Sequence, residues 1–324
     1  MNLFGGAAKF VDFQNSKGGE FVANSDGTKF GTMINDMFVG YFDPDPYTIP
    51  LTFEAIEAGA VVEFDNDGAA GPVTYKWSGG EAQTIAGGGR VAISLNSGDK
   101  VEFWGDNKTY TTEYYSCIKC YGDCYVYGNI MSLIKSVGFE NEKTLEQSNT
   151  FSRLFYDNDH IKNKNGSYLL LPATTLTEGC YESMFSGCKS LTSAPALPAT
   201  TLAKSCYSYM FHRCSNLTST PELPATTLAQ SCYEYMFARC SSLTSAPKLP
   251  ATTLAKNCYN AMFYNSANLS SVTCLATDIS EMNYTPAWLN GVASNGTFIK
   301  AAGATWPEGS SGIPSGWTVQ DYQG

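Results

Sequence analysis

Eleven cysteines and two histidines are the most reactive side chains in this 324-residue chain, and their spacing limits the chemistry open to them. Cys117, Cys120 and Cys124 form a C-x2-C-x3-C run. Zinc requires four converging ligands, and no fourth lies nearby in sequence, so a metal there would need a ligand from another copy. Cys180 and Cys188, like their later counterparts, stand eight apart, too far for a C-x2–4-C knuckle. His160 sits in the loop-like DNDHIKNKNG and His212 at a variable repeat position. Neither has a Ser or Cys nucleophile placed by spacing. Asp65-Asn66-Asp67-Gly68 opens like a calcium loop, but Lys76 stands where the loop's twelfth-position Glu belongs, so a hairpin turn is the better reading. No HExxH, GxSxG or Walker-A sequence occurs. A pair of glycosidase carboxylates carries no spacing rule, yet a short repeat array is a poor setting for a deep cleft. The expectation is a non-enzyme with no catalytic residue, no metal and no cofactor.

The composition points the same way. Charged residues make up 15% and aromatics 13%, with 20 Tyr and 18 Phe. This suits a recognition surface of Tyr and small polar residues and equally an ordinary β-rich chain. A net charge of −10 without a basic stripe sets nucleic acid aside. No apolar run is long enough to span a membrane, and the start, MNLFGGAAKFVDF, lacks the layout of an export signal. Residence in the cytoplasm, or departure inside an assembled particle, is expected.

The elements that position these residues are written as a repeat. Leu-Pro-Ala-Thr-Thr-Leu at Leu171 recurs at Leu197, Leu223 and Leu249 with a period of 26 residues, and Leu275 opens a degenerate copy. In phase run Cys180, Cys206, Cys232 and Cys258; Met184, Met210, Met236 and Met262, each followed by Phe; and Leu191, Leu217, Leu243 and Leu269. A second column holds Cys188, Cys214 and Cys240, then Ser266. Leu202, Cys206 and Met210 are four apart, which predicts one face of a short helix. The NLTS run that follows predicts a short strand ended by Pro221. Such a unit buries its apolar face only by stacking on copies of itself, and the in-phase Cys then act as small buried hydrophobes.

The pattern LPATTLAxxCYxxMFxxCxxLTSAPxLPATTL resembles the BspA-like leucine-rich repeat of bacterial surface proteins and of tailed phages of gut Bacteroides. The resemblance covers about residues 140–290, with Tyr127–Ile134 similar to a lead-in and GTFIKAAGATWPEGSSGIPSGWTVQ similar to a terminal cap. It implies adhesion or ligand binding without catalysis. Upstream, 50–110 alternates with period two between Gly and Asn/Asp turns, predicting a small all-β sandwich that resembles the module placed before such repeats. Trp77 and Trp104 there suit either core packing or a sugar platform. The expected architecture is multidomain: an N-terminal docking segment over 1–46, a β-sandwich over 47–110, a lead-in over 111–140, a short α/β leucine-rich-repeat solenoid over 141–274 and a cap over 275–324. In the first segment Thr32–Phe38 reads as a short helix, and Phe4, Phe10, Phe13 and Phe21 as a docking surface for other virion proteins.

Positions that vary inside the repeat mark residues the fold does not dictate. They single out Tyr209, His212, Arg213, Tyr235, Arg239 and Tyr264 as a binding face, rich in the Tyr and Arg favoured at hot spots. The flatter row of Thr192, Thr218 and Thr244 competes with it. The expected function is a homotrimeric virion fibre or decoration protein that binds a host-surface glycan or protein, without membrane insertion. The alternative is a bacterial surface adhesin.

Overall fold

The computed structural model describes residues 46–66, 71–110, 117–279 and 283–323, and the backbone of three strands before them. Those strands, β1 (Glu20–Ala23), β2 (Phe30–Ile34) and β3 (Met37–Phe42), form an antiparallel sheet in that order. The helix expected over Thr32–Phe38 is therefore absent. Thr32, Ile34, Phe38, Val39 and Tyr41 are residues that fit a pleated sheet. Phe4, Phe10 and Phe13 lie outside the described residues, and only the backbone of Phe21 is placed.

Two sheets follow. In one, β4 (Leu51–Ala55) runs antiparallel to β9 (Lys100–Gly105), which pairs β6 (Val73–Trp77) and through it β7 (Gln83–Ile85). In the other, β5 (Ala60–Asp65) lies between β8 (Arg90–Leu95) and β10 (Ile118–Tyr121). Burial alternates along β5 and β9, as period-two patterning requires. The inward Val62, Phe64, Val101 and Phe103 form the core between the sheets, with the Phe64 and Phe103 rings 4.9 Å apart. The sheet of the sandwich expected over 47–110 continues past that segment. The other edge of β4 carries β11 (Cys124–Asn129), and β11 in turn takes β12 (Ile161–Lys162) and β13 (Leu169–Leu170) as parallel partners. The result is one mixed seven-stranded sheet that crosses the 110 boundary. Gly128 makes the join possible. Its φ is +88°, and a Cβ there would sit 1.9 Å from the Pro50 carbonyl oxygen.

The expected α/β class is also overturned. Among the described residues there is no α-helix, only 3-10 turns at Pro46–Thr48, Ile130–Leu133 and Phe139–Asn141. The segments read as helices are chains of tight turns with a left-handed residue at every fourth position: Ser205, Tyr209 and Arg213; Ser231, Tyr235 and Arg239; Asn257, Ala261 and Asn265. A left-handed residue breaks an i→i−4 ladder, so the N–H groups divide into two sets. The Ser208, Met210 and His212 N–H groups close three-residue turns onto Ser205, Tyr207 and Tyr209. Those of Tyr207, Tyr209, Phe211 and Arg213 donate sideways, to the Cys232, Glu234, Met236 and Ala238 carbonyls of the next coil.

The side chains follow this four-residue rhythm in pairs. Cys206-Tyr207 and Met210-Phe211 point inward and are buried, whereas His212-Arg213 points outward. The interior is a pair of aromatic stacks. Tyr181, Tyr207, Tyr233 and Tyr259 lie 5.9–6.0 Å apart, and Phe185, Phe211, Phe237 and Phe263 lie 5.4–5.8 Å apart, all nearly parallel. Offset stacking adds about 0.5–1.5 kcal/mol per pair beyond area burial. Phe53 of β4 meets Phe155 at 6.0 Å, joining the sheet core to the stack. The far end is closed by Trp288, Trp306 and Phe298 and by the parallel strands β14 (Ser271–Cys274), β15 (Thr297–Lys300) and β16 (Thr318–Asp321).

The second Cys column does more than fill space. The thiols of Cys188, Cys214 and Cys240 donate to the carbonyls of Phe155, Phe185 and Phe211 at 3.0–3.1 Å. Ser266 makes the same bond to Phe237 at 2.8 Å, which explains why a hydroxyl can stand in that column.

Candidate functional site

The left-handed positions decide where unusual side chains stand. On four successive coils one such position holds Ser183, Tyr209, Tyr235 and Ala261; another holds Gly187, Arg213, Arg239 and Asn265, followed by Gly291. Gly and Asn take this conformation readily, while other residues pay about 1–2 kcal/mol. The two central coils therefore carry Tyr and Arg where the coils on either side carry Ser, Ala, Gly and Asn, and the first coil carries Arg153 and Asp157.

The side chains converge. The Tyr209 and Tyr235 rings stack at 4.6 Å and 6°. The His212 ring meets Tyr209 edge-on at 5.6 Å, and its Nδ1 lies 3.4 Å from the Ser186 hydroxyl. Arg213 and Arg239 are exposed, Tyr209, His212, Tyr235 and Tyr264 half-buried. Burial, together with the Arg213 and Arg239 charges, pushes the His212 pKa down to about 4. The imidazole is thus neutral at pH 7 and serves as a hydrogen-bonding group. Burial, then the adjacent Tyr235, Glu234 and Glu182, push the Tyr209 phenol up to about 12, which keeps it a donor. Tyr264 sits in the His212 row two coils on, where its carbonyl accepts the Arg239 N–H.

Reading single residues missed the acidic row on the other side of the tyrosines. Glu182 and Glu234 occupy equivalent positions, with Ser208 between them and Asn260 donating to Glu234 at 2.6 Å. Desolvation raises the Glu182 pKa above the usual carboxylate value. The face is therefore polarised, with guanidinia along one side, carboxylates along the other and stacked phenols between. The signal was present in the sequence, since 182, 208, 234 and 260 vary as Glu, Ser, Glu and Asn.

The remaining candidates fall elsewhere. His160 pairs Asp123 at 3.1 Å through Nδ1, and Lys162 holds the other Asp123 oxygen. Hydrogen bonding from Lys162 is the main reason the Asp123 carboxyl lies below its ordinary range, so the cluster is a satisfied ion pair on the sheet edge. Cys120 and Cys124 are buried thiols hydrogen-bonded to each other, and Cys117 donates to the Asp65 carbonyl at 3.0 Å. Among the described residues no group of three or more His, Cys, Asp or Glu is arranged to hold a metal ion. Trp77 stacks on Tyr75 at 5.9 Å, and Trp77 and Trp104 both pack against the core. Asn66 is buried and donates to Gly71 and Ala86, while Asp67 and Gly68 lie outside the described residues. Thr192, Thr218 and Thr244 are exposed, and the Thr218 amide and hydroxyl both donate to the Thr192 carbonyl.

No family model, no curated protein and no solved structure matches the chain. The resemblance to a BspA-like leucine-rich-repeat protein is therefore not upheld. The virion fibre or decoration role, and the surface-adhesin alternative, rested on it and are withdrawn. What stands is a β-rich chain of antiparallel, mixed and parallel sheets without α-helix among its described residues.

Proposed function

We propose that this chain is a non-catalytic binding protein, and that Tyr209, Tyr235, Arg213, Arg239, His212 and Tyr264 form its recognition face for an acidic, tyrosine-bearing polypeptide. The observation that carries this reading is a Tyr pair stacked at 4.6 Å beside an Arg pair, at left-handed positions that Gly, Ala, Ser and Asn fill on the adjoining coils. Strain of this kind collects at sites of function. The chemistry fits the partner. Two exposed guanidinia, neither in an ion pair among the described residues, match carboxylates bidentately, and the phenol stack offers a flat contact for a partner ring.

The test uses the chain's own charge. A net charge of −10 repels acidic peptides at long range, so their capture must come from a local patch. A random Glu-Tyr copolymer is titrated into the full chain at low ionic strength, with a Lys-Tyr copolymer as the comparison. The reading predicts saturable binding of the Glu-Tyr polymer that the Arg213→Glu/Arg239→Glu variant loses by at least ten-fold. Equal binding by the variant, or binding of the Lys-Tyr polymer alone, would refute it.

A further inference from the structure

One coil is longer than the others. The Lys189 amide and ammonium both bond Asp159, 30 residues earlier, whereas later coils pair at 26, as Lys204 does with Glu178. The strand registers locate the four extra residues. On β11, Tyr125 to Gly128 is three steps; on the chain beside it, Lys162 to Leu169 is seven. The surplus lies within the six residues Asn163–Tyr168, folded as a hairpin through the Lys164–Ser167 bridge with Gly166 at φ +76°.

The hairpin is anchored through its first two residues, and at its other foot the Tyr168 carbonyl accepts the Gly128 N–H at 3.0 Å. Asn163 Oδ1 accepts the N–H groups of Thr192 and Ser193 at 2.9 and 3.1 Å, and its Nδ2 donates to the Ser193 carbonyl at 3.0 Å. The Lys164 ammonium bonds Glu54 and lies 5.0 Å over the Tyr127 ring. Between the hairpin and residues 192–196 is left a cleft of about 320 Å³. Its floor is apolar, with Val126, Leu169 and Leu191 buried. Its rim carries Asn165, Ser167 and Tyr168, whose side chains make no hydrogen bond among the described residues. Tyr168 is 69% exposed, although it is the largest side chain on the hairpin.

Charge decides the ligand class. Among the described residues Lys164 is the one charged residue lining the cleft, and Glu54 pairs with it. Nothing there selects an ion. An apolar floor, a rim of neutral amide and hydroxyl groups and an exposed ring at the mouth suit a molecule with one apolar face and a hydroxylated edge. The volume lies at the small end for ligand sites, which allows one ring. We propose that this cleft binds a single uncharged pyranose, stacked on Tyr168 and hydrogen-bonded through its hydroxyls to Asn165 and Ser167. The site is separate from the Tyr209–Arg239 face, and the two readings stand or fall independently.

Saturation-transfer NMR on the full chain tests it, with methyl glycosides of glucose, galactose and mannose, with glucuronate, and with N-acetyl-leucinamide as an apolar probe. Transfer to at least one neutral glycoside is expected. It should weaken at least five-fold in Tyr168→Ala, a surface change that leaves the fold intact by circular dichroism, and persist in Arg213→Glu/Arg239→Glu. No transfer to any neutral glycoside would overturn the proposal. So would stronger transfer to glucuronate or N-acetyl-leucinamide, or full transfer in Tyr168→Ala.

Discussion

Replacing Arg213 and Arg239 together with Gly should stabilise this protein while removing the proposed recognition face. Both residues have left-handed backbones, at φ +62° and +61°. Each pays about 1–2 kcal/mol for that conformation, and Gly would be free of the cost. Gly in turn loses about 0.5–1 kcal/mol more chain entropy on folding. The difference favours the variant by about 0.5–1 kcal/mol per site, hence about 1–2 kcal/mol for the pair. Neither guanidinium has an ion pair among the described residues to offset this, and their mutual repulsion across adjacent coils disappears as well. Gly187 and Gly291 already occupy the same position on other coils, so the backbone needs no adjustment. Urea unfolding of the full chain supplies the measurement. The midpoint should rise with an unchanged m value, which identifies a change of stability and not of exposed surface. Binding of the Glu-Tyr copolymer should be lost in the same variant. A variant less stable than the parent by 1 kcal/mol or more would refute the reasoning, because the arginines would then be holding the coils together.

Further outcomes follow from the same geometry. The native His212 pKa, about 4, lies below the ordinary 6.5, so between those pH values the unfolded chain binds the extra proton. Stability is therefore lost as pH falls from 6.5 to 4. The shift corresponds to about 3 kcal/mol unscreened and about 1–2 kcal/mol for a half-exposed ring; His212→Asn should abolish that part of the pH dependence in urea titrations at pH 4.5 and 7. Cys240→Ser should cost less than about 1 kcal/mol, because its hydroxyl can bond the Phe211 carbonyl as Ser266 bonds Phe237. Cys206→Ser should cost about 1–3 kcal/mol, since its side chain is wholly buried and its thiol makes no such bond among the described residues; equal losses at the two sites would show that the columns do not differ. Phe211→Ala removes the middle of a stack with neighbours at 5.4 and 5.6 Å and should cost about 3–5 kcal/mol, read from the urea midpoint.

The sequence reveals which side chains are buried far better than it reveals the backbone. The Leu, Cys, Met, Phe and Tyr columns mark the interior, because a side chain with no exposure tolerates little change of volume. The backbone is less legible because spacing by four also matches a helical turn. A strict four-residue rhythm in Cys206-Tyr207 and Met210-Phe211 drifts by about 40° per turn on an α-helix. Inward pairs alternating with outward pairs were the sign of turns instead. Asn257, Asn265, Gly179 and Gly187 fall on the left-handed positions and gave the same hint. The period-two stretches between 50 and 105 did identify strands, but pairing across 110 depends on Gly128 passing close to Pro50, which no periodicity encodes. At the site, variation among coils pointed to the Tyr and Arg rows. The neighbouring Glu182 and Glu234 went unread, since acidic residues at outward positions look like ordinary solvated surface.

Hydrogen–deuterium exchange of the full chain with and without saturating Glu-Tyr copolymer tests the proposed recognition face most directly. Protection is predicted in peptides covering 207–214 and 233–240, with the 163–168 hairpin and the sheet over 51–105 unchanged. Protection confined to the hairpin, to the sheet or to the strands at 271–321, with those two peptides unaltered, would contradict the account.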